Sequence, residues 1–285
     1  MKIKEVINYL DSLFHPEYQE DYDNSGYLLG CGDCEYKGTL VALDLTEAVV
    51  DEALAAGDVN LIVTHHPFIF SGLKRLTDNN TSGRLVWKLI KNDMAVYAAH
   101  TNLDNLPWGV SGILAQKLGL RNTRVLHNYE CRNSNSEEVS YPNSQFIIHN
   151  SQLEIGAGMV GELPEPMTLE AFLLKVKAVT GIPFIRISQS LIPNPSFPIK
   201  RVALCGGSGA PFIHDAIDAK ADIYLTGDLK YHDFQRTDGR MVLADIGHYE
   251  SEQFAREIIF NVIFEKFGTF ACRISEKQKS IIQYI

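Results

Sequence analysis

The residues of this chain whose types and spacing could do chemistry together are the adjacent pair His65-His66, Asp104, and His248 with Glu252 four residues on. Imidazole and carboxylate are donors that Zn, Fe, Mn, Co and Ni all accept. Two neighbouring histidines on a turn can point at two ions. A four-residue spacing aims two side chains one way if a helix begins before the first of them; otherwise a turn must bring them together. Five such ligands are too many for one open tetrahedral site and suit two divalent ions bridged by a carboxylate and a water. Ions about 3.5–4 Å apart would lower the pKa of that water and make hydroxide near neutral pH. Each residue also has an ordinary reading. A His-His pair can pack, an aspartate after a strand can cap a helix, and Glu252 near a helix start favours the helix dipole with no metal present.

These residues gain meaning from the elements that must position them. Strand and helix signals alternate, the pattern of an α/β protein with a largely parallel sheet. Residues 39–43 form a β-branched, apolar run, with Asp44 and Thr46 after it as candidate helix caps and Gly57 as a helix stop. Strands are expected at 61–64 and 95–99, with a helix over 84–92 between them. His65-His66 directly follows the first of these strands, and Asp104 follows the second. Further on, a strand over 202–204, a helix over 212–219, a strand over 222–226 and a strand over 241–244 lead into a helix over 251–267. His248 lies just beyond the last of these strands. Loops past the carboxyl ends of parallel strands form the binding crevice of such sheets, so the five residues are expected to converge there. The later run echoes the earlier one at an offset of roughly 160 residues. The two are either a duplicated β-α-β unit or two such units that look alike.

Between these runs the texture changes. Residues 127–144 are rich in Asn, Ser and Glu and read as a long loop or hairpin, and 156–166 read as turn-rich. Thr168 caps an amphipathic helix that Gly181 and Pro183 end. The expected organisation is a first α/β domain over 1–126, completed by about 245–285 after the chain returns, and a second over 127–244.

Composition narrows the function classes. With 45% hydrophobic and 21% charged residues in 285, the chain can bury a core. A net charge of -9 argues against broad nucleic-acid or anionic-lipid binding. No apolar run approaches a membrane span, the first twenty residues read as an amphipathic helix, and five cysteines are too few and odd in number for a disulfide framework. A soluble, cytoplasmic, reduced protein is expected.

The strings DNSGYLLG (23–30), VTHHPFIFSGLKRL, VYAAHTNLDN, GAGMVGELPEPMTLEAF, VALCGGSG, ADIYLTGDLKYHDFQ and DIGHYESE resemble, in order and over nearly the whole chain, the GTP cyclohydrolase 1 type 2 homologue family, the NIF-three-like dinuclear metal-centre proteins. The resemblance implies two linked α/β domains, a toroidal homohexamer and two divalent ions per chain facing its cavity. Its ligand pattern falls here on His65, His66, Asp104, His248 and Glu252, and the chain resembles the shorter members that lack an added middle domain.

The expected function is a metal-dependent hydrolase in which a metal-bridging hydroxide attacks an electrophilic carbon of a nucleotide or peptide-like substrate. Lys230 and His232 are expected to meet an anionic group and move a proton, although a helix cap and a solvated turn describe that segment as well. The competing readings are non-catalytic metal storage or insertion, and a regulatory scaffold stapled by its metal. His100 reads either as a partner that orients a ligand or as a buried structural histidine. Gly206-Gly207-Ser208-Gly209 reads as a tight turn in preference to a phosphate cradle. Cys31-Gly32-Asp33-Cys34, preceding a strand instead of opening a helix, reads as neither a zinc nor a redox motif.

Overall fold

The computed structural model describes residues 1–129, 154–188 and 197–285, so most of the expected 127–144 loop lies outside the described residues. In chain order the elements are α1 (Ile3–Leu13), β1 (Gly26–Leu29), β2 (Gly38–Ala42), α2 (Glu47–Ala56), β3 (Leu61–Thr64), α3 (Thr81–Lys91), β4 (Ala95–Ala98), α4 (Thr101–Asp104) and α5 (Val110–Lys117). There follow β5 (Arg121–Asn128), β6 (Gly156–Thr168), α6 (Leu169–Thr180), β7 (Arg186–Ile187), β8 (Pro198–Leu204), α7 (Ile213–Asp218), β9 (Ile223–Thr226), β10 (Val242–Asp245), α8 (His248–Glu252), α9 (Ala255–Phe267) and β11 (Ala271–Ile274). Contacts divide the chain into two compact units. One is Met1–Leu103 with Ala255–Lys279; the other is the described part of 104–254 with Ser280–Ile285. Among the described residues, no helix is long and apolar enough to cross a membrane.

The first unit is built on a five-stranded sheet in the order β1-β4-β3-β2-β11, parallel except for β1. Its central strand, Leu-Ile-Val-Thr, is buried along its whole length, as a parallel strand covered on both faces must be. The core joins Leu40, Ile62 and Val96 of the sheet to Val49, Val50 and Ala53 of α2 and Leu85 and Leu89 of α3. The two helices start where their sequence allows. Thr46 Oγ1 accepts from Val49 N at 3.2 Å, and Asn80 Oδ1 accepts from Gly83 N at 2.8 Å, each satisfying an otherwise orphaned first-turn amide.

The second unit carries a six-stranded sheet in the order β5-β6-β8-β9-β10-β7. The α/β class holds, but here the parallel run is confined to β8-β9-β10, and β5, β6 and β7 pair antiparallel. The segment 156–166, expected as turns, is instead most of the 13-residue strand β6. Its glycines misled the reading, because they sit where a neighbouring backbone approaches. A Cβ on Gly156 would stand 2.0 Å from His127 O, and glycine within a strand can mark this kind of approach. His127 itself lies in β5. The core of this unit gathers Val160, Ala203, Tyr224 and Leu243 from the sheet with Ile213 and Ala216 from α7. The helix expected over 251–267 is two: α8 ends at Glu252 and α9 begins at Ala255. At the break the Gln253 amide donates to Thr180 O and to Glu250 O.

Gly30, after β1, has φ +127°, and a Cβ there would stand 2.6 Å from Ala95 Cα. Gly30→Ala is expected to destabilise the protein by about 2–3 kcal/mol. In urea denaturation the midpoint should fall with the slope unchanged.

Candidate metal centre

In the first unit the histidine pair is held by the sheet itself. His65 N donates to Ala42 O at 3.2 Å and His66 N to Leu43 O at 2.9 Å, which carries the β3–β2 pairing past the end of the strand. Thr64 Oγ1 then donates to His66 O at 2.8 Å. Both rings are pinned at Nδ1. His65 Nδ1 lies 2.7 Å from Ala99 O, just beyond β4, and His66 Nδ1 lies 2.7 Å from Asp44 Oδ1, just beyond β2. Asp44 is held in turn, since its backbone N–H donates to Gln278 Oε1 and its Oδ2 accepts from Gln278 Nε2.

His100 joins them. Its ring centroid lies 5.3 Å from that of His65 and 5.5 Å from that of His66, and those two lie 4.9 Å apart. His100 Nδ1 is 2.8 Å from Asp23 Oδ1, and the Asp23 carboxylate also accepts from Ser25 Oγ at 2.6 Å, Thr101 Oγ1 at 2.5 Å and Thr101 N at 3.1 Å. Burial alone would raise the Asp23 carboxyl. The bonds from His100, Ser25 and Thr101 outweigh it and hold the group well below the usual carboxylate range.

In the second unit α8 starts at His248, so His248 and Glu252 lie one turn apart on one face, with His248 Nε2 2.9 Å from Glu252 Oε2. His248 Nδ1 lies 2.7 Å from Asp228 Oδ2, and Asp228 reaches it from the loop after β9 in a left-handed backbone conformation. Burial lowers the pKa of His248, but the Glu252 and Asp228 carboxylates raise it to about 9. Buried Glu252 lies against Gly207, which has φ +63°, and a Cβ there would fall 2.0 Å from Glu252 Oε1. Asp104, at the end of α4, acts on the same neighbourhood. The Cys205 thiol is pushed up to about 12 by burial first, then by the negative charges of Asp104 and Glu252.

This donor set fits a divalent cation. At His65 and His66 a ring donating from Nδ1 to an oxygen carries its lone pair on Nε2, the arrangement that orients histidine toward a metal, whereas His248 shares its Nε2 with Glu252. Glu252 adds a buried carboxylate whose place depends on a glycine opposite.

Other expectations fare differently. Lys230 and His232 are exposed, and the bonds they make run within the turn Tyr231–Thr237: Lys230 N donates to Asp233 Oδ2, and His232 Nδ1 lies 3.3 Å from Gln235 Oε1. In the glycine-rich turn, the amides of Gly206, Gly207 and Gly209 donate to Ser111 Oγ, Ser251 Oγ and Thr226 Oγ1. That supports the tight turn over the phosphate cradle. Sequence reasoning missed three carboxylates. Asp44 reads as a helix cap and Asp228 lies in the segment that reads as a cap and solvated turn, yet both hold histidines, and Asp23 falls only within a family-like string. A usable signal was available for Asp44, which follows β2 as the histidine pair follows β3.

The fold and the pinned histidines and carboxylates describe an α/β protein of two sheets, each unit carrying candidate metal ligands beyond its strand ends. The chain belongs to the Duf34/NIF3 (NGG1p interacting factor 3) family, whose profile matches residues 1–280. It is 29% identical over 373 aligned positions, covering all of both proteins, to a GTP cyclohydrolase 1 type 2 homolog of Staphylococcus aureus (strain MSSA476). A protein of the same description from Clostridium perfringens (strain 13 / Type A) is 33% identical over 257 residues, covering 88% of this chain and 87% of that one. Among solved structures, Staphylococcus aureus hypothetical protein SA1388 superposes with a TM-score of 0.83 at 33% identity, over 100% of this chain and 99% of that one. A Bacillus cereus protein related to NIF3, at 24% identity, shares the fold with a TM-score of 0.84 over the same shares.

Because the folded pKa of Asp23 lies below its unfolded value, its stabilisation is full above the ordinary carboxylate value of about 4 and is lost as pH falls from there toward the folded value. Asp23→Ala is expected to cost about 3 kcal/mol near neutrality. The gap in urea midpoint between wild type and variant should narrow below about pH 4. A gap that stays constant with pH would show that the carboxylate contributes nothing through its charge.

Proposed function

We propose that His65, His66, Asp104, His248 and Glu252 hold two divalent metal ions per chain, and that the protein is a metal-dependent hydrolase of the GTP cyclohydrolase 1 type 2 homologue type. His65, His66 and Glu252 are the nucleus of the proposed centre. The observation that carries the reading is the pinning at Nδ1 of two adjacent histidines, His65 and His66, just beyond one strand. A ligand needs its ring orientation and tautomer set in advance. Bound there, the ions supply Lewis acidity and make water nucleophilic near neutral pH.

The chain's own residues do the rest. Asp44 and Asp228 orient imidazoles and keep them electron-rich. The exposed Lys230 ammonium meets the phosphate of a nucleotide, and His232, two residues on, carries a proton to the leaving nitrogen. The substrate class is a nucleotide or peptide-like molecule with an amidine or amide carbon, and GTP is the first to test, given the names of the relatives. The proposed assembly is a homohexameric ring. Exposed apolar residues on α3, Trp87 and Ile90, are consistent with contacts between copies.

Elemental analysis with native mass should find about two ions per wild-type chain, as a two-metal centre requires. Both should be lost or halved in Asp104→Ala and Glu252→Ala. Asp44→Asn should keep the fold and weaken metal affinity about 10- to 100-fold. Lys230→Ala and His232→Ala should leave metal content intact and abolish GTP turnover. A wild-type chain that takes up no Zn, Mn or Fe(II) would overturn the proposal, and metal without turnover of any nucleotide or amide would leave storage or insertion in its place.

A further inference from the structure

The Cys31–Cys34 turn acquires in three dimensions the helix that its sequence context lacks. It joins β1 to β2, and its carbonyls meet the start of α1: Lys4 N donates to Gly32 O at 2.8 Å and Ile3 N to Cys34 O at 3.0 Å. Two first-turn amides of an 11-residue helix thus close on the turn, bringing the positive end of the helix beside it. Lys2 Nζ and Lys4 Nζ lie 3.2 Å and 2.7 Å from Asp33 Oδ1, between the two cysteines in sequence. Cys34 N donates to Cys31 O at 3.2 Å, which closes the turn and holds the two cysteines across it. Cys31 is exposed and Cys34 half-buried.

We infer that Cys31 and Cys34 form a thiol–disulfide exchange site for small disulfides, with Cys31 attacking and Cys34 resolving. The roles follow from exposure, since Cys31 is the more open of the two to an incoming disulfide. Interaction between the two thiols lowers the pKa of Cys31 and raises that of Cys34. The more exposed sulfur is therefore also the one more readily ionised. In the first step the Cys31 thiolate forms a bond to one sulfur of a disulfide RSSR, the S–S bond breaks, and RS⁻ leaves. In the second the Cys34 thiolate attacks the Cys31 sulfur of the mixed disulfide and expels the second RS⁻. The protein loses two electrons as its two thiols become one disulfide, RSSR gains them, and the two thiol protons end on two RSH.

The site is separate from the proposed metal centre. β1 runs antiparallel to β4, pairing Gly26 with Ala98 and Leu29 with Val96. Cys31 therefore lies toward the start of β4, whereas His65 and His100 follow the ends of β3 and β4. Metal loading and thiol exchange can thus fail independently.

The test uses the reduced full chain in glutathione buffers of increasing oxidised fraction, quenched with acid, alkylated and mapped by peptide mass spectrometry. Wild type should form the Cys31–Cys34 disulfide. Cys34→Ser should accumulate glutathione on Cys31, and Cys31→Ser should leave the half-buried Cys34 several-fold slower to react than Cys31 is in Cys34→Ser, as its smaller exposure requires. Circular dichroism should be unchanged in both variants. Should either fail to fold, timed alkylation of wild type reads the same order, with Cys31 labelled first. Equal rates at the two cysteines, or a glutathione adduct on wild-type Cys31 that never resolves, would overturn the inference.

Discussion

An imidazole ring can spin about its Cβ–Cγ bond and carry its proton on either nitrogen, and a single acceptor at Nδ1 removes both freedoms. That constraint is met at His65 by a backbone carbonyl and at His66, His100 and His248 by carboxylates. Much of the local architecture places those acceptors. Ala99 is in reach because β3 and β4 run parallel, with Thr64 opposite Ala98. Asp44 is in reach because β2 runs parallel on the other side of β3, with Ala42 opposite Thr64. The strand order β4-β3-β2 therefore flanks the histidine pair with the two groups that orient it.

The second unit solves the same problem with different parts. A short helix starts at the histidine, so its glutamate falls one turn along the same face, and the loop after β9 bends through a left-handed aspartate to reach the other ring nitrogen. The glycine-rich turn after β8 serves this arrangement. Its amides are spent on neighbouring hydroxyls, and its missing Cβ leaves room for the Glu252 carboxylate.

Much of this was legible in the sequence, and the boundary has physical causes. Apolar runs such as Leu61–Thr64 declare themselves because a strand buried on both faces has nowhere to put a polar side chain. Helix starts at Thr46 and Thr168 were readable from local capping chemistry. β6 was not, because its glycines answer to the backbone of β5, a contact no local window contains. The candidate ligands were readable from residue type and strand-end position. Their carboxylate partners were not, since Asp23 reaches His100 across 77 residues and an aspartate near a helix start looks like a cap either way. The cysteine turn hid its partner for the same reason: α1 precedes it by a whole strand.

The backbone bonds from His65 and His66 to Ala42 and Leu43 place the histidine pair inside the cooperative sheet and not on a loop beside it. Displacing the backbone that carries those two rings means opening the end of the central strand. Their amides belong among the slow-exchanging ones, and their geometry is kept whatever occupies the space in front of them. Sheet bonds of this kind orient the pair through the fold itself, unlike the sites of small domains that collapse only around a metal. Any cation the proposed centre holds would come and go while the scaffold stays as it is.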